Sequence, residues 1–231
     1  MVCKLCGEET KLIKSHIIPE SFYRDAYTEN RGIMVRKDDY SKRLPVGIYD
    51  KEIVCAGCEK TFQKWDEYGY NFFNKILTTS GKMIQRKGEN IALLFNNIKY
   101  KELKLFLMSV LWRASVCGDE FFDQILLGSF ENILREKIIS TDAGTSQEFA
   151  ILIFKFDLPK YDVLHPPYKT RLDSGVNGYR LFFFNAEIFI KVDKRVMDEY
   201  DQLILNPSQP LIVSFKEAPE AIQLLNESRG N

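Results

Sequence analysis

The sequence predicts an α+β fold: an N-terminal four-cysteine zinc module, then helices, then a mostly antiparallel sheet. Three observations lead there. Four of the five cysteines form two Cys-x-x-Cys pairs, Cys3/Cys6 and Cys55/Cys58. Apolar residues then recur at helical spacing over Phe62 to Ile76 and again over Leu103 to Cys117, and only later does the pattern turn to short β-rich runs.

The 231 residues carry 45% apolar side chains, enough for a substantial core and too many for a disordered chain. Lys plus Arg balance Asp plus Glu at 32 each, which argues against a general polyanion coat but leaves room for a local basic patch. The longest apolar runs, such as "LFLMSVLW", fall short of a membrane span. "MVCKLCGEET" has no charged segment followed by an apolar one, so no secretory signal is read there and a cytoplasmic location is expected.

Two thiolates separated by two residues can grip one tetrahedral ion from a tight turn, with Gly7 and Gly57 supplying permissive backbone. Two such knuckles complete a shell of four thiolates, the usual structural zinc arrangement. The alternatives are two independent surface pairs or a redox dithiol, although no β-α-β pattern of the thioredoxin kind precedes Cys3. The long segment between the pairs is tolerable because loop-closure entropy grows only logarithmically with length. "GIMVRK" and "GIYDKEIVC" within it read as strands. Residues 1 to 60 are rich in charge and poor in large apolar clusters, so a metal cross-link would hold what packing alone does not. Cys117, in "LWRASVCGD", reads as a small buried hydrophobe.

After the second knuckle, Phe62, Trp65, Tyr68 or Gly69, Phe72 and Ile76 mark an amphipathic helix leaving the metal site. Knuckle, strand pair, knuckle and helix is the treble-clef order, and this module is expected to span residues 1–78. Residues 79–231 form the expected second unit, of α+β type. It begins with a basic connector, "SGKMIQRKGENIALLFNNIKYKELK", and the apolar-striped helix "YKELKLFLMSVLWRASVC". One or two helices follow in "DEFFDQILLGSFENILREKII". Strands are expected in "EFAILIFKFDL", "YRLFFFNAEIFIKVD" and "PLIVSFK", with a turn near Asn185-Ala186, and a short helix in "APEAIQLLNE".

Between the two cysteine pairs stands "SHIIPESFYR", with one of only two histidines in the chain. A knuckle, about ten residues, "HIIP", an intervening segment and a second Cys-x-x-Cys resembles the layout of zinc-stapled HNH endonucleases. The likeness covers residues 3 to about 65. It implies that His16 is the general base, and that Asp50, five residues before Cys55, orients the histidine. It implies also that Ser15 and Glu59 occupy the positions of the catalytic metal ligands. Glu59 can bind a hard divalent cation, whereas serine is a poor ligand, and that departure shifts the expected substrate. RNA carries its own nucleophile, the 2′-hydroxyl, which a histidine can deprotonate without a metal. Arg24, on a short helix predicted after His16, is the expected stabiliser of phosphorane charge, with Lys14 and Tyr23 as lesser candidates.

The reading favoured is a ribonuclease, with an HNH-type metal-dependent DNA endonuclease or a non-catalytic zinc-stabilised binding module as alternatives. The layout is also similar to bacterial phage-defence effectors, including ring-forming zinc-finger RNases. That similarity implies nucleic acid, an activating phage protein and further copies of the chain as partners, and it makes residues 79–231 the sensing and oligomerisation domain. A histidine at position 16 can equally pack beneath the Pro19 turn and do nothing chemical. His165, ahead of two prolines, reads as a loop histidine.

Overall fold

The computed structural model describes residues 1–28, 33–34, 42–43, 47–157 and 163–218. The N-terminal part opens with the turn around Cys3–Gly7. It continues into β1 (Ser15–His16) and α1 (Ser21–Thr28), then β2 (Ile33–Met34), β3 (Lys42–Arg43) and β4 (Tyr49–Asp50). β1 and β4 form an antiparallel ribbon, while β2 pairs with β3 and, in parallel, with β8 (Val163–Leu164).

α2 (Ala56–Asn71) leaves the second knuckle as the spacing predicts, burying Phe62, Trp65 and Gly69. It runs on through a wider π-helical turn, Phe72–Ile76, into α3 (Leu77–Thr79). The basic connector is not a linker. It folds as β5 (Lys82–Arg86) and β6 (Glu89–Phe95), the edge hairpin of the main sheet. Lys87 and Gly88 both have positive φ, 52° and 86°, which is the backbone of a tight two-residue hairpin turn. The inward face of β6 supplies Leu93 and Phe95 to the core, and the charge lies on the rim.

α4 (Tyr100–Val116) is more deeply buried than one apolar stripe implies, since every residue from Leu103 to Ala114 is inside. Three of these are polar, and each has partners. Lys104 donates to the Tyr100 hydroxyl and the Thr145 carbonyl, Ser109 to the Phe106 carbonyl, and Arg113 to groups described below. A 3-10 turn at Glu120–Phe122 and α5 (Ser129–Ile139) fill the next predicted helical stretch.

The remaining strands are β7 (Ile151–Phe156), β9 (Tyr168–Arg171), β10 (Asn177–Phe183), β11 (Ala186–Lys191) and β12 (Leu211–Lys216). The sheet order is β5-β6-β12-β7-β11-β10-β9, antiparallel throughout except for the parallel β12–β7 pair. The β10–β11 hairpin turns at Phe184-Asn185, with Phe183 opposite Ala186. The "APEAIQLLNE" helix falls almost wholly outside the described residues. One apolar cluster runs from Cys3 and Leu5 through Phe62, Phe106 and Trp112 to Ile188 and Val213, so the cysteine-rich end and the sheet share a core. Among the described residues no helix is long and apolar enough to cross a membrane.

Candidate active site and metal centre

The four-cysteine cluster is built from two turns. The Cys3 carbonyl accepts from Gly7 N at 2.8 Å, with Gly7 at φ 81°, and this closes the first knuckle. Cys55 is the N-cap of α2, so Cys58 lies in that helix's first turn. Backbone bonds join the two knuckles: Lys4 N to Ile53 O at 2.8 Å and Ile13 N to Val54 O at 3.0 Å. The four ligand sulfurs lie within 4.8 Å of one another, with Cys3 to Cys58 at 3.7 Å and Cys6 to Cys55 at 4.0 Å. A Zn–S bond of about 2.3 Å in a tetrahedron gives sulfur–sulfur edges of about 3.8 Å. The four thiols are therefore close enough to hold a metal ion, and their spacing fits zinc. Cys55 N also donates to Cys3 Sγ at 3.4 Å. Burial opposes ionisation of Cys3, but amide donors from Cys6, Cys55 and Leu5 bring its thiol down to about 7, favouring the thiolate a metal needs.

A short ribbon carries His16 away from this centre. Ser15 pairs with Asp50 and His16 with Tyr49, and successive residues of a strand face opposite ways. Ser15 is fully buried, and its Oγ donates to Glu59 Oε2 on α2 at 2.6 Å. The two positions that the HNH likeness assigns to a catalytic metal thus meet each other directly. Burial pushes the Glu59 carboxyl up, against the Ser15 hydrogen bond and the Arg113 charge.

His16 stands on the other face, half-buried. Its ring meets Tyr49 edge-on, with centroids 5.9 Å apart. Tyr49 is 40% exposed, with the Lys14 ammonium 4.0 Å from its ring centre and that of Lys51 at 6.0 Å. This face therefore presents an imidazole, a partly exposed aromatic ring and two cations.

Asp50 lies opposite Ser15 rather than His16, and its carboxylate accepts from Glu52 N at 2.8 Å and Gly118 N at 3.1 Å. It also sits against Cys117, whose thiol is pushed up to about 11, by burial first and by Asp50 and Asp119 after it. Arg24 is exposed on α1. Tyr23 is buried, its ring packed where Gly47 leaves no Cβ. His165 is a loop residue packed on Phe182, its Nδ1 2.9 Å from the Pro166 carbonyl.

Sequence reasoning missed Asp66 and Arg113. Arg113 of α4 is fully buried and makes a two-pronged pair with Asp66 of α2, Nη2 to Oδ1 at 2.7 Å and Nη1 to Oδ2 at 3.1 Å. The same Nη1 donates to the His16 carbonyl at 2.9 Å. The Asp66 side chain is 16% exposed; burial raises its carboxyl, while Arg113 and then His16 pull it down. An arginine inside the apolar run "LFLMSVLWRAS" was a signal, since a charge there demands a partner. Along α2, Glu59, Gln63, Asp66, Glu67 and Tyr70 line an open groove of about 520 Å³.

No protein-family model matches the chain, and no curated protein or solved structure matches it either.

Proposed function

We propose that the chain is a zinc-stapled ribonuclease that cleaves single-stranded RNA with His16 as its general base. The observation that carries this reading is the face shared by Lys14, His16 and Tyr49. An exposed aromatic ring offers a stacking platform for a base, and two ammonium groups beside it attract the phosphate backbone. Beside them stands His16, and histidine is the side chain whose ordinary protonation range lies closest to neutral pH.

In the step proposed, His16 takes the proton of the ribose 2′-hydroxyl. The 2′-oxygen forms a bond to phosphorus, the bond from phosphorus to the 5′-oxygen breaks, and that oxygen leaves with a proton from solvent. The products are a 2′,3′-cyclic phosphate and a 5′-hydroxyl. Lys14 offsets the charge that gathers on the phosphoryl oxygens. Zinc at Cys3, Cys6, Cys55 and Cys58 has a structural part, holding both ends of the ribbon that presents His16. Ser15 and Glu59 satisfy each other by their own hydrogen bond, which favours metal-free chemistry over the one-metal scheme of HNH enzymes.

The test is cleavage of a labelled single-stranded RNA by the native chain and by His16→Ala, each with zinc content measured. Activity lost at unchanged zinc is expected, and the native activity should persist in EDTA too dilute to strip the cysteine site. Undiminished cleavage by His16→Ala removes the base from the scheme. Cleavage confined to duplex DNA with Mg²⁺ replaces the RNA reading, and RNA binding without cleavage reduces the module to a binding platform.

A further inference from the structure

The ribbon that carries His16 is only two residues long on each side, too little to fix a side chain by itself. Its His16 end is instead tied to the centre of the molecule. Arg113 lies on the innermost helix, with no exposed surface, among Leu111, Trp112 and Ala114. A charge so placed must be paired and fully hydrogen-bonded, and every donor direction is used. Nε donates to the Ser109 carbonyl at 3.3 Å, Nη2 to Asp66 and the Ser109 hydroxyl, and Nη1 to Asp66 and the His16 carbonyl. The Phe62 ring centre lies 4.7 Å from the guanidinium carbon, a cation–π contact that adds to its pairing. A single nitrogen, Nη1, thus joins the main chain of the proposed base to a carboxylate of α2.

Building on the ribonuclease reading, we infer that Arg113 and Asp66 are positioning residues for His16. Arg113 fixes the His16 main chain through its carbonyl, and the Asp66 carboxylate favours the imidazolium form. Neither touches substrate. The groups around the imidazole act in opposite directions. Asp66 and, beyond Ser15, Glu59 approach from α2 as anions. Arg113 from α4, Lys14 on the chain before it and Lys51 after β4 act as cations, with neutral Tyr49 across the ladder. Of these, Asp66 is the anion that shares a donor, Arg113 Nη1, with the His16 carbonyl, and the lysines are exposed and more strongly screened.

The experiment is an NMR titration of the His16 imidazole in the zinc-loaded native chain, in Asp66→Asn and in Arg113→Lys. Asp66→Asn should lower the His16 midpoint by about one pH unit, the effect expected when a neighbouring opposite charge is removed. The acidic limb of the RNA-cleavage profile should move down with it. Arg113→Lys keeps the charge but not the fork, so the midpoint should stay and kcat should fall about tenfold or more at unchanged KM.

A merely structural pair would lower the melting temperature in both variants and leave the His16 midpoint and the pH profile in place, and that result overturns the inference. Should Asp66→Asn fail to fold, the native chain alone decides. The Asp66 carboxyl carbon must then show a step in chemical shift at the His16 midpoint, and its absence refutes the coupling. The imidazole readouts need no activity, so a chain that cuts no RNA would refute the ribonuclease reading without touching this result.

Discussion

Gly69 packs directly against Phe106 of α4, and replacing it with alanine tests the packing that holds Asp66 against Arg113. A Cβ at this position would lie within 2.6 Å of three carbons of the Phe106 ring. That ring cannot withdraw. Phe22 stacks on it at 5.5 Å and an interplanar angle of 6°, Phe183 lies at 5.7 Å and Phe73 at 6.3 Å. Overpacking of a confined core costs about 1–3 kcal/mol, and the absence of any free side places this case near the upper end. Alanine returns about 1 kcal/mol through its better helix propensity, so a net loss of about 2 kcal/mol is expected. In urea unfolding followed by circular dichroism, this is a fall in midpoint on the order of 0.5–1 M. Gly57→Ala is the control, because its Cβ would meet only Cys55 Sγ at 3.9 Å, an ordinary contact. The control should be neutral or slightly stabilising. If Gly69→Ala is as stable as the native chain, Phe106 has room to move and the close approach does not confine the two helices.

Three further outcomes are expected. Stripping the metal with a chelator at mildly acidic pH should release about one zinc per chain, with a sharp rise in amide exchange around Cys3–Ile17 and Ile48–Glu59; unchanged exchange would show that packing alone holds the region. Tyr49→Ala should weaken single-stranded RNA binding by about 1–3 kcal/mol while Tyr49→Phe binds normally, and equal affinity of all three would remove the stacking platform. Burial lowers the Lys104 ammonium from 10.5 to about 7, so the unfolded chain holds one more proton than the folded one between those values and stability should rise with pH across that window. The rise is bounded by about 5 kcal/mol, from a difference of 10.5 minus 7 at about 1.4 kcal/mol per unit. Burial lowers Lys216 to about 8 and gives the same sign, so the comparison is with Lys104→Met, whose urea midpoint should climb less from pH 7 to about 9.5. Parallel climbs would refute the assignment to Lys104.

What the sequence disclosed depended on how local each signal was. The cysteine pairs were legible because two thiols at fixed spacing have few structural uses, and the structure brings all four together. α2 was legible because Phe62, Trp65 and Gly69 repeat at helical spacing on a single buried face. The β5–β6 hairpin was not, because Lys82, Arg86 and Lys87 on the rim masked inward-facing Leu93 and Phe95. Lys104 and Arg113 lie in a helix buried all round, where charge pattern and burial point in opposite directions. Arg113 meets Asp66 across 47 positions and His16 across 97, distances at which no spacing rule operates. For the same reason, the alignment of Asp50 with a histidine-orienting residue could not foresee the ladder register, which sets it against Ser15.

That register is the pivot of the whole site. A slip of one residue in a two-stranded ribbon turns every side chain to the other face. Here it would bury the imidazole against Glu59 and expose the hydroxyl of Ser15 beside Tyr49. Two short strands have too few ladder bonds to forbid this, so the restraint must come from outside them. Three bonds supply it. Ile17 N to Ile48 O at 3.1 Å extends the pairing beyond His16, Ser15 Oγ to Glu59 locks the inward face, and Arg113 to the His16 carbonyl locks the next residue to α4. On the other side, Leu12 bridges Cys55, which ties the ribbon to the cysteine cluster. The cysteine centre and the buried arginine therefore act on the same few residues from opposite ends. Either one alone would leave the ribbon free to slip at its other end, which is why a charged residue in the innermost helix is worth its desolvation.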